Sequence, residues 1–235
     1  MEREKSTFGF ILERVRQNIL SLAALGVAFF ILAGRIDIWG FWIYIGVVIL
    51  YQVISLSIIV PRYPAYSALA EARKVRHSDV KAWDNVLVMV MTISTLLMDG
   101  LAALDLGRFQ LGVLSIAWAI PGVVLYAIGS MLNQWAMLHN PHFERGVRIQ
   151  EERDHRVMVS GPYQIVRHPG YLGSVLFFIA FPLIVGSAVS WIGSTIGMIG
   201  MSVRTYLEDR TLRKELAGYE EYTRHVKYRL IPYVW

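Results

Sequence analysis

Residues 158–173, Met-Val-Ser-Gly-Pro-Tyr-Gln-Ile-Val-Arg-His-Pro-Gly-Tyr-Leu-Gly, set a dense Gly/Pro/Arg/His turn in front of an uncharged run that lasts until Arg204. A helix entering a bilayer needs no such turn for stability, because Pro and Gly weaken its start and charges favour water. The residue types therefore point to chemistry: an imidazole (His168), a guanidinium (Arg167) and a backbone shaped by Gly161, Pro162 and Pro169. A second group follows the run, with Arg204 and Glu208 at i, i+4 on one helix face and Asp209 beside them. Carboxylates facing an arginine-histidine turn suit a zwitterionic ligand with an ammonium and a carboxylate. S-adenosylmethionine is such a ligand, and its sulfonium can also be held over aromatic faces such as Tyr163, Tyr171, Tyr206, Tyr219 and Tyr222.

The elements that must bring these groups together are set by composition. With 55% hydrophobic and 17% charged residues, the apolar stretches are too long and too many for a soluble core, so the chain is expected to be all-α, a polytopic transmembrane helical bundle. Apolar runs fall at about 19–33, 38–60, 86–104, 111–138 and 171–203. The last would make a helix of about 50 Å, too long for one crossing of about 30 Å. Pro182, Gly186 and Ser187-Ala188-Val189-Ser190 near its middle predict a tight helical hairpin over 171–203.

Charge placement supports this count. Every lysine and arginine of the 23 except Arg35 and Arg108 falls in alternate connections, which predicts about six crossings with both termini cytoplasmic. The hairpin would return its two ends to one membrane face and form a cytoplasmic cofactor pocket there. Residues 1–138 would supply four crossings and the acceptor entrance, and residues 139–235 the cofactor region, in one structural domain overall.

The net charge of +5 suits anionic lipid headgroups, and no nucleic-acid motif is present. The absence of cysteine excludes disulfides, thiolate metal ligands and cysteine nucleophiles. His139 and His142 flank Asn140-Pro141 without an evident third ligand, so they read as a helix end rather than a metal site. Residues 6–18, with Phe8, Ile11, Leu12, Val15 and Ile19 at helical spacing, are expected to lie in the interface before the first crossing. Ala65 to Arg76 reads as a surface helix, Trp39, Trp42 and Tyr44 as interfacial anchors, Asp99 as solvated near the outer headgroups, and His155 and Arg156 as a solvated connection.

The sequence Val159-Ser160-Gly161-Pro162-Tyr163, then Arg167-His168-Pro169, Tyr171-Leu172 and Gly173, resembles the cofactor motif of the isoprenylcysteine carboxyl methyltransferases and related phospholipid N-methyltransferases. Arg204-x-x-x-Glu208-Asp209-x-x-Leu212, with Tyr219, Tyr222, Val226 and Arg229-Leu-Ile-Pro232, resembles that family's second motif. The resemblance covers residues 139–235. It implies an integral membrane methyltransferase that uses S-adenosylmethionine on a lipophilic or lipid-anchored acceptor, either a prenylcysteine-type carboxylate or a lipid amine. It implies cofactor contacts from Gly161, Pro162, Tyr163, His168, Pro169, Tyr171 and Leu172, joined by Glu208, Asp209 and Tyr222. Arg167, Arg204 and Glu208 would then serve the reaction, with no metal. The family's acidic pair is usually two glutamates, and Asp209 departs from that pattern.

An NADPH-dependent membrane sterol reductase is the competing enzyme class, since the Arg-His-Pro-x-Tyr-Leu-Gly segment and the Tyr228-Arg229-Leu-Ile-Pro232-Tyr233 tail resemble those enzymes as well. The Gly161-Pro162-Tyr163 turn is of methyltransferase type and the chain is short for the reductase architecture. A non-catalytic lipid-binding membrane protein is the third reading. It would tolerate loss of His168 and Glu208.

Overall fold

A computed structural model describes residues 2–59 and 79–235, and among these residues the regular structure is helical, with no named strand. The helices are α1 (Glu2–Ala33), α2 (Trp39–Ile54), α3 (Ala82–Leu104), α4 (Ala119–His139), α5 (Pro169–Val185), α6 (Trp191–Glu215) and α7 (Tyr219–His225). Among the described residues, four segments are long and apolar enough to cross a membrane: Val15–Ala33, Trp39–Ser57, Ala82–Phe109 and Ile116–His139. Pro169–Val185 is a shorter apolar helix. The expected surface helix at Ala65 to Arg76 lies outside the described residues.

Residues 6–18 belong to the single helix α1, whose membrane-length apolar segment begins at Val15. No Gly or Pro occurs between residues 10 and 25 to break it, so propagation carries the helix straight into the apolar stretch.

The tightest packing in the bundle is between α4 and α5. Its cause is a glycine crossing. A Cβ placed on Gly173 would stand 2.6 Å from the Gly129 carbonyl oxygen, and one on Gly129 would stand 2.8 Å from that of Gly173. Small residues let helix backbones touch in this way where lipid offers no hydrophobic drive to associate. The contact joins α4 to α5, the helix that follows the Arg167-His168 turn.

α5 ends at Gly186 and α6 begins at Trp191, with the serine-containing turn between them, and the two helices pack on one another. The turn is held by a segment expected to be helical. Residues 111–114 lie extended beside it, with Leu114 N–H donating to the Gly186 carbonyl (2.8 Å) and Ala188 N–H to that of Gly112 (2.7 Å). Buried Asp105 accepts from Ser187 Oγ (2.6 Å) and from Gly112 N–H (2.9 Å), which satisfies polar groups that the turn would otherwise leave buried.

The apolar core contains Phe29, Phe41, Tyr44, Met98, Phe178 and Phe181. Phe29 and Phe41 stack at 3.7 Å, and Tyr44 meets Phe181 edge-on at 5.0 Å. Tyr44 is thus a core residue and not an interfacial anchor, because its place on α2 faces α5. Trp39 and Trp42 are exposed. Asp99 is also displaced from the expected solvated position: it is buried within the bundle, and its Oδ1 has no hydrogen-bond partner among the described residues.

Candidate functional site

The two motif halves meet at the N-terminal end of α5. Arg167 and His168 precede that helix, Glu208 and Asp209 lie on α6, and the chain after α7 crosses behind them. Arg167 N–H donates to the Tyr228 carbonyl and His168 N–H to that of Arg229, both at 2.9 Å. The tail thereby fixes the backbone of the turn.

Asp209 is the centre of this junction. Its carboxylate is buried and reaches Arg167 Nε at 2.8 Å, Arg229 Nε at 3.0 Å and Arg213 Nε at 3.2 Å. The Tyr219 hydroxyl donates to it at 3.2 Å, and His168 Nε2 lies 3.7 Å away. Burial pushes its pKa up, but His168, Arg167 and Arg229 outweigh that and hold it below the usual carboxylate range. Arg167 also donates to the carbonyls of Val226 (2.9 Å) and Lys227 (3.2 Å). Both side chains are consumed in holding the turn, α6 and the tail together.

A cleft lies in front of this cluster, with about 100 Å3 of enclosed free space and open solvent beyond it. Tyr163, Arg167, His168, Pro169, Tyr171, Glu208 and Tyr222 line it, whereas Gly161, Pro162, Leu172, Asp209 and Arg204 do not. The Glu208 carboxylate accepts a short hydrogen bond from the Tyr171 hydroxyl and has no cation within ion-pair distance among the described residues. The Tyr171 and His168 rings stack with centroids 5.6 Å apart. Burial pushes the Tyr222 phenol up, so it remains a donor and bonds the Tyr163 carbonyl at 2.6 Å. Gly161 acts behind the wall: its φ is +58°, and a Cβ there would stand 2.5 Å from the His139 ring. His139 itself bonds the Trp135 carbonyl at 3.0 Å, at the end of α4.

Arg204 is placed by a residue the sequence did not single out. Its guanidinium pairs with buried Asp84 of α3 (Nε to Oδ1, 2.7 Å) instead of with Glu208, and donates to the Arg145 carbonyl. It also lies over the Tyr171 ring, 5.0 Å from the centroid. Asp84 further accepts from Val147 N–H at 2.9 Å, so the one carboxylate ties α3, α6 and the connection after α4. An i, i+4 pattern shows which residues share a face, but not that a nearer buried carboxylate comes from another helix.

A second cleft opens between α2, α3, α4, α5 and α6, with about 780 Å3 of free space. Its wall is mostly apolar and aromatic, including Tyr51, Tyr126, Phe177, Phe178, Met91 and Met201. The two clefts share Phe143, Glu144, Gly170 and Tyr171. Glu144 is held by buried Arg148 at 2.9 Å, and Arg148 also reaches Glu152 at 2.5 Å.

His155 belongs to the wall of the first cleft and not to a solvated connection. Its ring stacks on His142 at 4.5 Å, and Gln150 N–H approaches its Nδ1 at 3.3 Å. Burial, then His142, Arg148 and Arg153, push its pKa down to about 4. The sign follows from linkage: between the unfolded value near 6.5 and the native value the unfolded chain binds more protons, so stability falls as pH drops through that window. His155→Gln should flatten this part of the pH profile of thermal unfolding. An unchanged slope would place the titration elsewhere.

Residues 122–214 match the sequence model of the isoprenylcysteine carboxyl methyltransferase family. Two relatives from Oryza sativa, subspecies indica and japonica, each called "Probable protein-S-isoprenylcysteine O-methyltransferase", are 28% identical over 108 residues. That stretch is 45% of this chain and 56% of each relative, so the chain spans a little over half the length of these curated relatives. The resemblance read from the two motifs is borne out, and the matched segment runs from α4 to α6.

Proposed function

We propose that the protein transfers a methyl group from S-adenosylmethionine to a lipophilic or lipid-anchored acceptor at the cytoplasmic membrane face. The meeting of the two clefts at Tyr171 carries this reading. The first cleft mixes polar and apolar groups and carries the Glu208 carboxylate, the second is mostly apolar and aromatic and runs between helices that suit a bilayer, and a transfer reaction needs two ligands to meet at a common wall.

The residues of the first cleft fit the cofactor. Glu208, with no cation within ion-pair distance among the described residues, offers its charge to an ammonium or sulfonium, and the Tyr219 and Tyr222 rings offer aromatic surface to a cation. When bound, S-adenosylmethionine supplies an electrophilic methyl on a sulfonium. The chain's own contribution is alignment and exclusion of water. Arg167 and Asp209 hold the wall, and Arg204 steadies Tyr171 from behind. A prenylcysteine-type carboxylate is already ionised and needs no base, whereas a lipid amine would need one, for which Glu208 or His168 stands nearest. Six crossings, with α5 and α6 as the last pair and both termini cytoplasmic, would set the first cleft at that face. Residues 1–138 would then shape the acceptor entrance.

Calorimetric titration of the detergent-purified protein with S-adenosylhomocysteine, run beside NADPH, tests the reaction class. Saturable binding of S-adenosylhomocysteine alone is expected, and Glu208→Gln should weaken it about tenfold while thermal unfolding is unchanged. Binding of NADPH alone would replace the methyltransferase by a reductase.

A further inference from the structure

One face of α6 is apolar and exposed. Ile192, Ile196, Ile199, Val203 and Tyr206 recur along it every three or four residues. The stripe is about 21 Å long at 1.5 Å per residue, and it ends on exposed Arg210, one turn beyond Tyr206. Arg204 points to Asp84 of α3, and Tyr206 lies about 200° around the helix from it, so the stripe looks away from the bundle. An apolar stripe that closes on a tyrosine and then an arginine is the pattern of a helix leaving lipid at the headgroup level.

The chain after α7 returns to that level. The Arg229 guanidinium lies 5.8 Å from the Tyr206 ring centroid and 5.4 Å from that of Trp235. Residues 229–235 close there into a tight turn. The Trp235 main-chain oxygen accepts from the N–H groups of Arg229 and Leu230, both at 2.9 Å, and the Ile231 carbonyl accepts from those of Val234 (3.1 Å) and Trp235 (3.0 Å). Tyr233 sits in the left-handed region at φ +66°. The turn buries Leu230 but carries three apolar side chains outward: Tyr233 is 89% exposed, Val234 75% and Ile231 45%. Three such side chains beside an exposed apolar helix face mark a contact surface. We infer that residues 231–235 form an interfacial anchor, which seats Ile231, Tyr233 and Val234 in the boundary between lipid headgroups and acyl chains and so ties a wall of the first cleft to the bilayer.

The tie runs through main-chain bonds. The Tyr228 and Arg229 carbonyls accept from the N–H groups of Arg167 and His168, whose side chains line the first cleft. A tail held at the membrane surface steadies that turn, whereas a tail loose in water lets it open locally. A bilayer fits this surface better than a second copy of the chain. The apolar strip is narrow, it continues along the outward face of α6, and exposed Arg210 and Lys227 beside it suit anionic headgroups. The anchor rests on the proposed function only for what the first cleft holds.

Because the chain has no cysteine, Ile231→Cys, Val234→Cys and, as a solvent reference, Glu221→Cys can each carry one nitroxide label. In nanodiscs containing anionic lipid, the labels at 231 and 234 should be relaxed severalfold more by oxygen, relative to a water-soluble nickel chelate, than the label at 221. In the same nanodiscs the double variant Tyr233→Ser, Val234→Ser should bind S-adenosylhomocysteine about tenfold more weakly than the native protein, while Tyr233→Phe, Val234→Leu binds as the native does and thermal unfolding is the same in all three. Equal access of the nickel chelate to all three labels would overturn the anchor. Labels shielded from both reagents and broadened by a neighbouring label would overturn it in favour of a second copy of the chain. Native affinity in the serine variant would overturn the tie to the cleft. Failure of the native protein to bind S-adenosylhomocysteine would instead remove the methyltransferase reading, and the depth of the labels would still decide the anchor.

Discussion

Asp209→Ala is expected to abolish cofactor-site binding and to lower stability by about 3 kcal/mol, because it leaves the buried Arg167 guanidinium, and with it the partly exposed Arg213 and Arg229, without their counter-charge. Arg167, Arg213 and Arg229 all converge on this carboxylate, and two of these arginines lie on segments that no helix shares: the turn before α5 and the tail after α7. Removing the charge unties the tail, whose Tyr228 and Arg229 carbonyls accept from Arg167 and His168. The loss should therefore appear as faster hydrogen exchange in residues 226–235 together with weakened S-adenosylhomocysteine affinity. Asp209→Glu keeps the charge on a stem one methylene longer in a buried site and should fall between the two. A variant Asp209→Ala that binds and melts like the native protein would show that the arginines are solvated independently. The pH response has a definite sign. Asp209 has a depressed native pKa, so its contribution is present above the unfolded carboxylate value of about 3.9 and is lost only as pH falls below that toward the native value.

The roles within the junction show where sequence reading reaches and where it stops. The pairing of Arg167-His168 with the Glu208-Asp209 step was legible because each motif is local and a helix break at Gly186 must turn the chain back. Spacing could not separate a carboxylate that faces a ligand from one that faces arginines, and adjacent Glu208 and Asp209 take those two roles because they point about 100° apart around α6. Asp84 was hidden for a different reason. It opens α3 as an ordinary first-turn acid, the kind of residue that the helix dipole favours there, and its partner is 120 residues away in sequence. Asp99 and Tyr44 were misplaced outward because axial position along a helix was read without knowing which side faces the bundle. Residues 111–114 were assigned to the following helix on apolar character alone, although Gly112 and the left-handed Gln110 favour the extended segment that closes on Ser187.

Asp84→Ala should be the most damaging change outside the motifs, again costing about 3–5 kcal/mol, since it strands the Arg204 guanidinium in a buried position. It also frees Val147 N–H and loosens the connection that carries Glu144 and Arg145. The informative comparison is with the double variant Asp84→Leu, Arg204→Met, in which both charges are gone and two apolar side chains fill the space. If the pair only braces α3 against α6, the double variant should recover most of the lost stability, because a buried ion pair is seldom better than well-packed apolar residues. Arg204 also lies over the Tyr171 ring, at the wall where the two clefts meet. Replacing it should therefore leave stability near native but lower turnover at least tenfold with S-adenosylhomocysteine affinity unchanged, as expected when a group that orients the meeting point is removed and the binding groups are kept. Full turnover in the double variant would reduce Arg204 to a brace. Loss of affinity and turnover together would mean that Arg204 shapes the first cleft rather than the meeting point.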